Sequence, residues 1–388
     1  KSEELEMLKE VVHDFCEKRI EPNVDKMESE HRILPEIIKE MADLGFYGVP
    51  FDEKYGGSGL GLRGFAVMMR EISKYHGSLA VMLGAHTSLG LKPIALYGSE
   101  KQKMDWLPRG IRGEIIGAYA TTEPNVGSDV ASISTFAKKV DGGWRLDGAK
   151  QFISNGAIAD FIIVLAQTAK YEDETDENRK KTMIVLIVPT KSEGFKITKV
   201  SEEKMGLHAS CTSAFSLDNV FIPDNNLIGE VGQGFKIVMN VFNQSRITLG
   251  AGCVGALERA QEIMLDFIKS RMISGKPLYE YQATQLAVGK IEITRIMMEA
   301  LVNQALDAYE KNPASIREIA AAVKHICAED GFWAIDRALQ TMGGAGYIAE
   351  YKMERIYRDF RVNRIFEGTS EVQTLLVAKE FLKRRLMS

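Results

Sequence analysis

Apolar residues recur at helical spacing from the start of the chain: between Ser2 and Ile20, Leu5, Leu8, Val11, Val12 and Phe15 share one face and predict an amphipathic helix. The Leu34-Pro35 boundary marks a second helix start, running through Met41 and Leu44. Phe65–Tyr75, Leu79–Gly90 and Lys101–Leu107 continue the pattern, separated by the Gly56–Gly61 connector and by Pro93 and Pro108. After Ile116 the texture changes. Phe136–Val140, Trp144–Asp147, Phe161–Thr168, Thr182–Val188 and Phe195–Val200 are short β-branched or aromatic runs, bounded by turn pairs such as Asp141-Gly142 and Asp147-Gly148, and predict strands. The charged run Tyr171–Lys181 reads as a solvated loop. Long Pro-free helical stretches return at Gly234–Lys276, between Pro277 and Pro313, and at Ala314–Ser388, lengths that suit a helical bundle. Strands and helices in segregated blocks argue against a doubly wound sheet and predict an α+β, mainly α chain. The expected divisions are an N-terminal helical domain (1–117), a central β-domain (118–231) and a C-terminal helical bundle (232–388).

Composition narrows the function. The chain of 388 residues is 45% hydrophobic and 26% charged, enough for a large core and two or three folding units. Its 49 Lys+Arg against 53 Asp+Glu give a net charge of −4, which offers no general attraction to phosphate backbones, so nucleic acid is not an expected partner. Cys16, Cys211, Cys253 and Cys327 lie far apart, form no zinc or dithiol motif and read as reduced thiols in an intracellular compartment. No unbroken apolar run approaches the ~18–20 residues needed to cross a bilayer; even a run as long as Met183–Val188 is strand-sized. The charged opening Lys1–Glu10 is unlike a signal peptide.

Two absences and one decoy matter for the chemistry. The histidines form no HxxxH pair, so no metal is expected, and no GxSxG elbow or P-loop supports a hydrolase or triphosphatase. Gly250-Ala-Gly-Cys-Val-Gly255 satisfies the dinucleotide-binding pattern, yet helical periodicity runs straight through it. Small residues there are expected to let a neighbouring helix approach closely.

Three segments are candidates for function. Tyr119-Ala-Thr-Thr-Glu-Pro-Asn-Val-Gly-Ser-Asp129 concentrates hydroxyls and glycine where the helical part meets the strands, suited either to a polar heterocycle or to a capped turn. Gln340-Thr-Met-Gly-Gly-Ala-Gly-Tyr347 offers flexible backbone to a pyrophosphate, or simply a helix C-cap. In Tyr357–Gln373, Glu367 stands between Phe366 and Gly368 at a Gly-Thr-Ser break. A carboxylate in such partly apolar surroundings has a raised pKa and suits proton abstraction, although it could also cap the helix starting near Ser370.

Taken with Lys150–Gly156, Lys204–Ser210, Gly229–Phe235 and Arg271…Leu278, these segments resemble the acyl-CoA dehydrogenase family in order and spacing over essentially the whole chain. The resemblance implies FAD between the β-domain and a four-helix bundle. Tyr119, Thr121 and Thr122 would line the isoalloxazine, with Phe152 and Ser154 covering its other side where the family often has Trp and Thr. Arg271, Gln282, Gln340, Gly343 and Gly344 match contacts to the FAD of a neighbouring subunit, and Ser274 stands where many members have phenylalanine. Thr369 and Glu371 are further cofactor candidates. Ser128 matches a residue touching both cofactor and acyl-CoA; Phe242, Asn243, Arg246 and Gly368 match the acyl-CoA site, with asparagine at 243 where aspartate is common. Arg246 is on that basis expected to contribute mainly affinity for CoA.

Glu367 matches the family's base, which removes the α-proton of the thioester while the β-hydrogen leaves as hydride to flavin N5, giving a trans-2-enoyl-CoA. Some branched-chain members place the base just before the helix arginine; Ser245 occupies that place here, which favours Glu367 as sole base. The segment Ser78–Met82 lacks the arginine of glutaryl-CoA-type members, arguing against a dicarboxylic substrate. Gly84-Ala-His86 and Gly90-Leu-Lys92, with Glu202–Ser210 and Gly229–Phe235, look most like the core of the very-long-chain subgroup without its extra C-terminal domain. A medium- to long-chain acyl-CoA is therefore expected, with a cyclic or branched acyl-CoA dehydrogenase or an acyl-CoA oxidase as the alternatives. The family implies a homo-oligomer, commonly a tetramer, and electron-transferring flavoprotein as acceptor, in the cytoplasm of a prokaryote or the mitochondrial matrix of a eukaryote.

Overall fold

The computed structural model describes residues 2–169 and 176–386. Its first part is helical: α1 (Ser2–Phe15), α2 (Val24–Glu30), α3 (Pro35–Asp43), α4 (Gly61–Tyr75), α5 (Gly77–Gly84), α6 (Lys92–Tyr97) and α7 (Glu100–Ile111). Pro35 at the first turn starts α3 from an extended Leu34, and Ser99 with Gln102 forms a reciprocal capping box on α7. The expected breaks at Pro93 and Pro108 do not occur. Pro93 falls just after the π-helical segment Ala85–Leu91, in the first turn of α6, and Pro108 sits in the last turn of α7. This π-helical segment joins α5 to α6, so Gly77–Tyr97 forms one path of 21 residues whose most apolar 18-residue window has a mean hydropathy of 1.3. By length and composition that path would suffice to cross a membrane, and 72% of its most apolar window is buried in the protein. The sequence reading missed it because His86, Ser88 and Lys92 interrupt the apolar run.

The middle part is a sheet of β1 (Gly117–Ala120), β2 (Phe136–Val140), β3 (Gly143–Ser154), β4 (Phe161–Gln167), β5 (Met183–Pro189), β6 (Phe195–Lys199), β7 (Thr212–Pro223) and β8 (Leu227–Ile228). The order is β6-β7-β3-β2-β4-β5-β8, with β1 beside β4 in parallel. β4 is apolar throughout because both faces are covered. Phe161, Ile163 and Leu165 enter the core shared with the helices, while Ile162, Val164 and Ala166 pack on Trp144, Phe215 and Ile222. β7 was not predicted: its inward positions include Ser213, so its alternation is weak in hydropathy. A short helix, α8 (Asp176–Lys180), occupies part of the run read as a loop; residues 171–175 of that run lie outside the described residues.

The last part holds α9 (Gly234–Ser270), a small hairpin of β9 (Met272–Ile273) and β10 (Lys276–Pro277), α10 (Gln282–Lys311), α11 (Arg317–Met342), α12 (Gly344–Tyr347), α13 (Met353–Phe360) and α14 (Ser370–Leu386). The glycine-rich segment lies inside α9, as its periodicity predicts. A Cβ on Gly250 would stand 2.4 Å from Val323 of α11, one on Gly252 2.8 Å from Ser73 of α4, and one on Gly255 1.9 Å from the Arg70 carbonyl oxygen. Missing side chains thus let α4 and α11 close on α9. The contact is then sealed by the guanidinium of Arg70, bound to Glu258 and at 2.6 Å to Glu299.

Gly255→Ala tests this packing. Alanine gains up to about 1 kcal/mol of helix propensity, but overpacking typically costs ~1–3 kcal/mol, and here the obstacle is backbone that cannot swing aside. The variant should melt at a lower temperature than the parent by differential scanning calorimetry; an equal or higher melting temperature refutes the close approach.

Candidate active site

A cavity of about 650 Å³ opens where the sheet, α4–α5, α9 and the loop before α14 meet. Tyr119, Thr121 and Thr122 reach it from the end of β1, and Phe152 and Ser154 from the end of β3. The β3–β7 register shifts between Lys150 and Ile153, and there Phe152 takes a left-handed φ of 59° that leaves its ring 58% exposed. An aromatic side chain placed so against the hydrophobic effect invites a flat partner.

A buried ion pair ties these two edges together. Lys150 Nζ donates to the Thr121 carbonyl at 3.0 Å and to Glu123 Oε1 at 2.9 Å. The Glu123 carboxylate also accepts from Ser134 N at 2.6 Å and Thr135 N at 2.9 Å. Burial lowers the Lys150 ammonium to about 8. Burial works against the Glu123 carboxylate too, but the Lys150 charge and the Ser134 and Thr135 donors hold it down at about 2. With the loop pinned in this way, Tyr119 OH and Thr121 Oγ1 lie buried beside each other at the cavity, with no other hydrogen-bond partner among the described residues. Two buried hydroxyls with spare hydrogen-bonding capacity, beside an exposed aromatic ring, suit a ligand with a polar edge and a flat face, which FAD possesses.

Glu367 lies on the opposite wall. Its Oε1 accepts from Ser245 Oγ at 2.8 Å, and its Oε2 is buried without a hydrogen-bond partner among the described residues. Burial raises its pKa above the usual carboxylate range, while the Ser245 hydrogen bond and the Arg246 and Lys324 charges pull it part of the way back. Arg246 is not in the cavity wall. Only 3% exposed, it donates from Nε at 3.1 Å and Nη2 at 3.0 Å to the Glu367 carbonyl, and from Nη1 to Asn243 Oδ1 at 3.1 Å. A guanidinium so engaged grips the loop that carries Glu367.

Of the residues singled out from sequence, Tyr119, Thr121, Thr122, Ser128, Phe152, Ser154, Phe242, Glu367, Gly368 and Thr369 line this one cavity. Asn243 and Arg246 lie buried behind it. Arg271, Ser274 and Gln282 stand exposed at the β9–β10 hairpin and the start of α10; Gln340, Gly343 and Gly344 stand exposed at the end of α11, and Glu371 on the first turn of α14. None of these seven lines the cavity. Sequence reasoning quoted Lys150 and Glu123 within motifs without giving them work, because a buried charge pair has no one-dimensional signature. Lys324, Leu249, Gly252 and Ala256 were also missed, their periodicity being that of ordinary core.

Comparison with known proteins bears on this geometry. The family profiles "Acyl-CoA dehydrogenase, N-terminal domain", "middle domain" and "C-terminal domain" match residues 2–114, 118–220 and 232–382. An acyl-CoA dehydrogenase of Bacillus subtilis is 35% identical over 98% of both chains, and a 3-(aryl)acrylate reductase of Clostridium sporogenes 34% identical over 98% of this chain and 99% of its own. The solved butyryl-CoA dehydrogenase of Megasphaera elsdenii superposes with a TM-score of 0.92 at 32% identity, covering 97% of this chain and 98% of its own. Fold and cavity together are those of a flavin-dependent oxidoreductase acting on acyl-CoA. The chain belongs to the acyl-CoA dehydrogenase family, and FAD is its cofactor.

Lys150→Met leaves the Glu123 carboxylate buried and unpaired, a loss of ~3–5 kcal/mol for such a pair. Its thermal midpoint should fall well below that of the parent, and adding Glu123→Gln should recover part of the loss. A single variant as stable as the parent refutes the role of the pair.

Proposed function

We propose that the protein catalyses α,β-dehydrogenation of an acyl-CoA thioester with Glu367 as the general base. The observation carrying this reading is a carboxylate with a raised pKa, one oxygen on Ser245 and the other unpartnered, in the wall of the cavity lined by Tyr119, Thr121 and Phe152. A thioester α-proton is too weakly acidic for an exposed carboxylate, whereas a desolvated one is a stronger base. Ser245 holds Oε1 and leaves Oε2 to receive the proton. Tyr119, Thr121 and Thr122 would hold the cofactor from one side and Phe152 and Ser154 from the other. When bound, FAD supplies the acceptor for the β-hydride. Ser128, Phe242 and Gly368 would contact the acyl-CoA, while Arg246 and Asn243 fix the helix-to-loop junction beneath it. Thr369 remains a candidate cofactor contact at the cavity.

The exposure of Arg271, Gln282, Gln340, Gly343 and Gly344, away from this chain's cavity, supports their reaching the cofactor of a second subunit, and with it a homo-oligomer, of which a tetramer is the form the family suggests. We take electron-transferring flavoprotein as acceptor, divisions after Gly117 and Val231, and a cytoplasmic or mitochondrial matrix setting. A medium- to long-chain acyl group is supported by Gly84, Ala85, Gly252 and Ala256 in the cavity wall, small residues that leave depth between α5 and α9. A cyclic or aromatic acyl-CoA is the second reading, favoured by the name of the 3-(aryl)acrylate reductase relative.

Anaerobic titration of the FAD-loaded protein with C4–C18 and aryl-substituted acyl-CoAs, following flavin bleaching, decides between these substrates; no bleaching by any of them overturns the reading. Glu367→Gln keeps size and removes the proton acceptor, so flavin reduction should slow by about 10²–10⁴-fold with FAD still bound. Because the reactive form is the carboxylate, the parent's reduction rate should rise with pH along a limb centred above the ordinary glutamate value of about 4.3. Near-normal stopped-flow reduction in the variant would require another base.

A further inference from the structure

The loop that carries Glu367 is held in an unusual shape. Glu367 and Gly368 are consecutive left-handed residues, with φ of 55° and 92°. That conformation is unfavourable for a glutamate and persists only where the surroundings enforce it. Glycine suits the position next to it, since a φ of 92° strains any residue that carries a side chain. Both carbonyl oxygens of the turn are taken by buried donors on three helices. The Glu367 oxygen receives Arg246 of α9 and, at 3.3 Å, Gln373 of α14; the Gly368 oxygen receives Gln373 at 3.1 Å and Lys324 Nζ of α11 at 2.6 Å.

Lys324 is the telling member of this set. It has no exposed surface, and the bond to Gly368 is the only hydrogen bond its ammonium makes among the described residues. A lysine fully withdrawn from water in the middle of a bundle is expensive, and an aliphatic side chain would fill the same place without that cost. Its whole return is one carbonyl, adjacent to the proposed base, plus a positive charge near a carboxylate that must stay ionised in dry surroundings. Resting on the reading of Glu367 as base, we propose that Lys324 is a positioning residue for proton abstraction, its ammonium fixing the Gly368 carbonyl so that the Glu367 carboxylate is held at the cavity in its reactive arrangement.

The test uses the FAD-loaded protein carrying Lys324→Met, which keeps chain length and burial and removes donor and charge. FAD content should be unchanged and acyl-CoA affinity, read from perturbation of the flavin spectrum, should stay within about threefold, while the rate constant for anaerobic flavin reduction at saturating acyl-CoA falls at least ~10-fold. A second readout needs no turnover. A 3-thiaacyl-CoA can lose an α-proton but has no β-hydrogen to give, and its anion over the flavin absorbs at long wavelength; that band should weaken in the variant. If Lys324→Met does not load FAD, Lys324→Gln, which keeps a polar donor without charge, takes its place with the same readouts. A variant that is bleached as fast as the parent and shows the parent's band overturns the role of Lys324 alone. Loss confined to FAD content or affinity, with the saturated rate retained, also overturns it in favour of a purely structural lysine. A parent protein that no acyl-CoA bleaches overturns the dehydrogenase reading and this proposal with it.

Discussion

The Glu367 carboxylate is held out of water with one oxygen on Ser245 and the other without a partner among the described residues, and much of the surrounding architecture exists to make that arrangement tolerable. A desolvated anion on a flexible loop would turn outward to solvent or take up a proton. Here its backbone is locked in a left-handed turn, and the carbonyls of that turn are gripped by Arg246, Gln373 and Lys324. Cations buried for that purpose also bias the carboxylate toward ionisation. The same logic recurs across the cavity, where Lys150 and Glu123 sit in a dry interior to fix the loop from Tyr119 to Thr122 against β3. Both walls are thus positioned by charges that contribute little to stability in their own right and much to geometry.

These charges lie beyond what a linear reading can find. Segregated helical and strand texture predicts the order of elements because periodicity is a local property: β4 and β5 and the long helix α9 fall where their apolar patterns put them. Failures occur where a local rule is outvoted. Helix breaks are expected at Pro93 and Pro108, yet the helical path runs over both, and α7 continues to Ile111 despite the backbone hydrogen bond that Pro108 cannot make. β7 was invisible because Ser213, an inward position, satisfies its hydroxyl on the Val200 carbonyl and so need not be apolar. In the site, motif spacing brought out Tyr119, Thr121, Phe152 and Glu367, which the fold gathers around one cavity. The direction of the Arg246 side chain was not legible. An arginine on a ligand-facing helix can point to either side of it, and only the packed structure shows this one turned beneath the loop.

Helix α9 shows how one sequence serves packing and chemistry at once. Its central glycines face α4 and α11, which come close enough to bury Lys324 beneath the loop, while Phe242, Ser245, Leu249 and Gly252 of the same helix line the cavity. Ser245 and Arg246 are neighbours in sequence and lie about 100° apart around a helix, so one reaches the Glu367 side chain and the other its carbonyl. A serine at 245 is therefore more than the absence of an alternative base: it is short enough to donate to Oε1 without filling the space beside it. A larger side chain there would displace the carboxylate, and a second carboxylate would repel it. The small residues of α9 thus set the distance between helices, and through that distance they decide which polar atoms of the loop can be reached and which oxygen of Glu367 is left free.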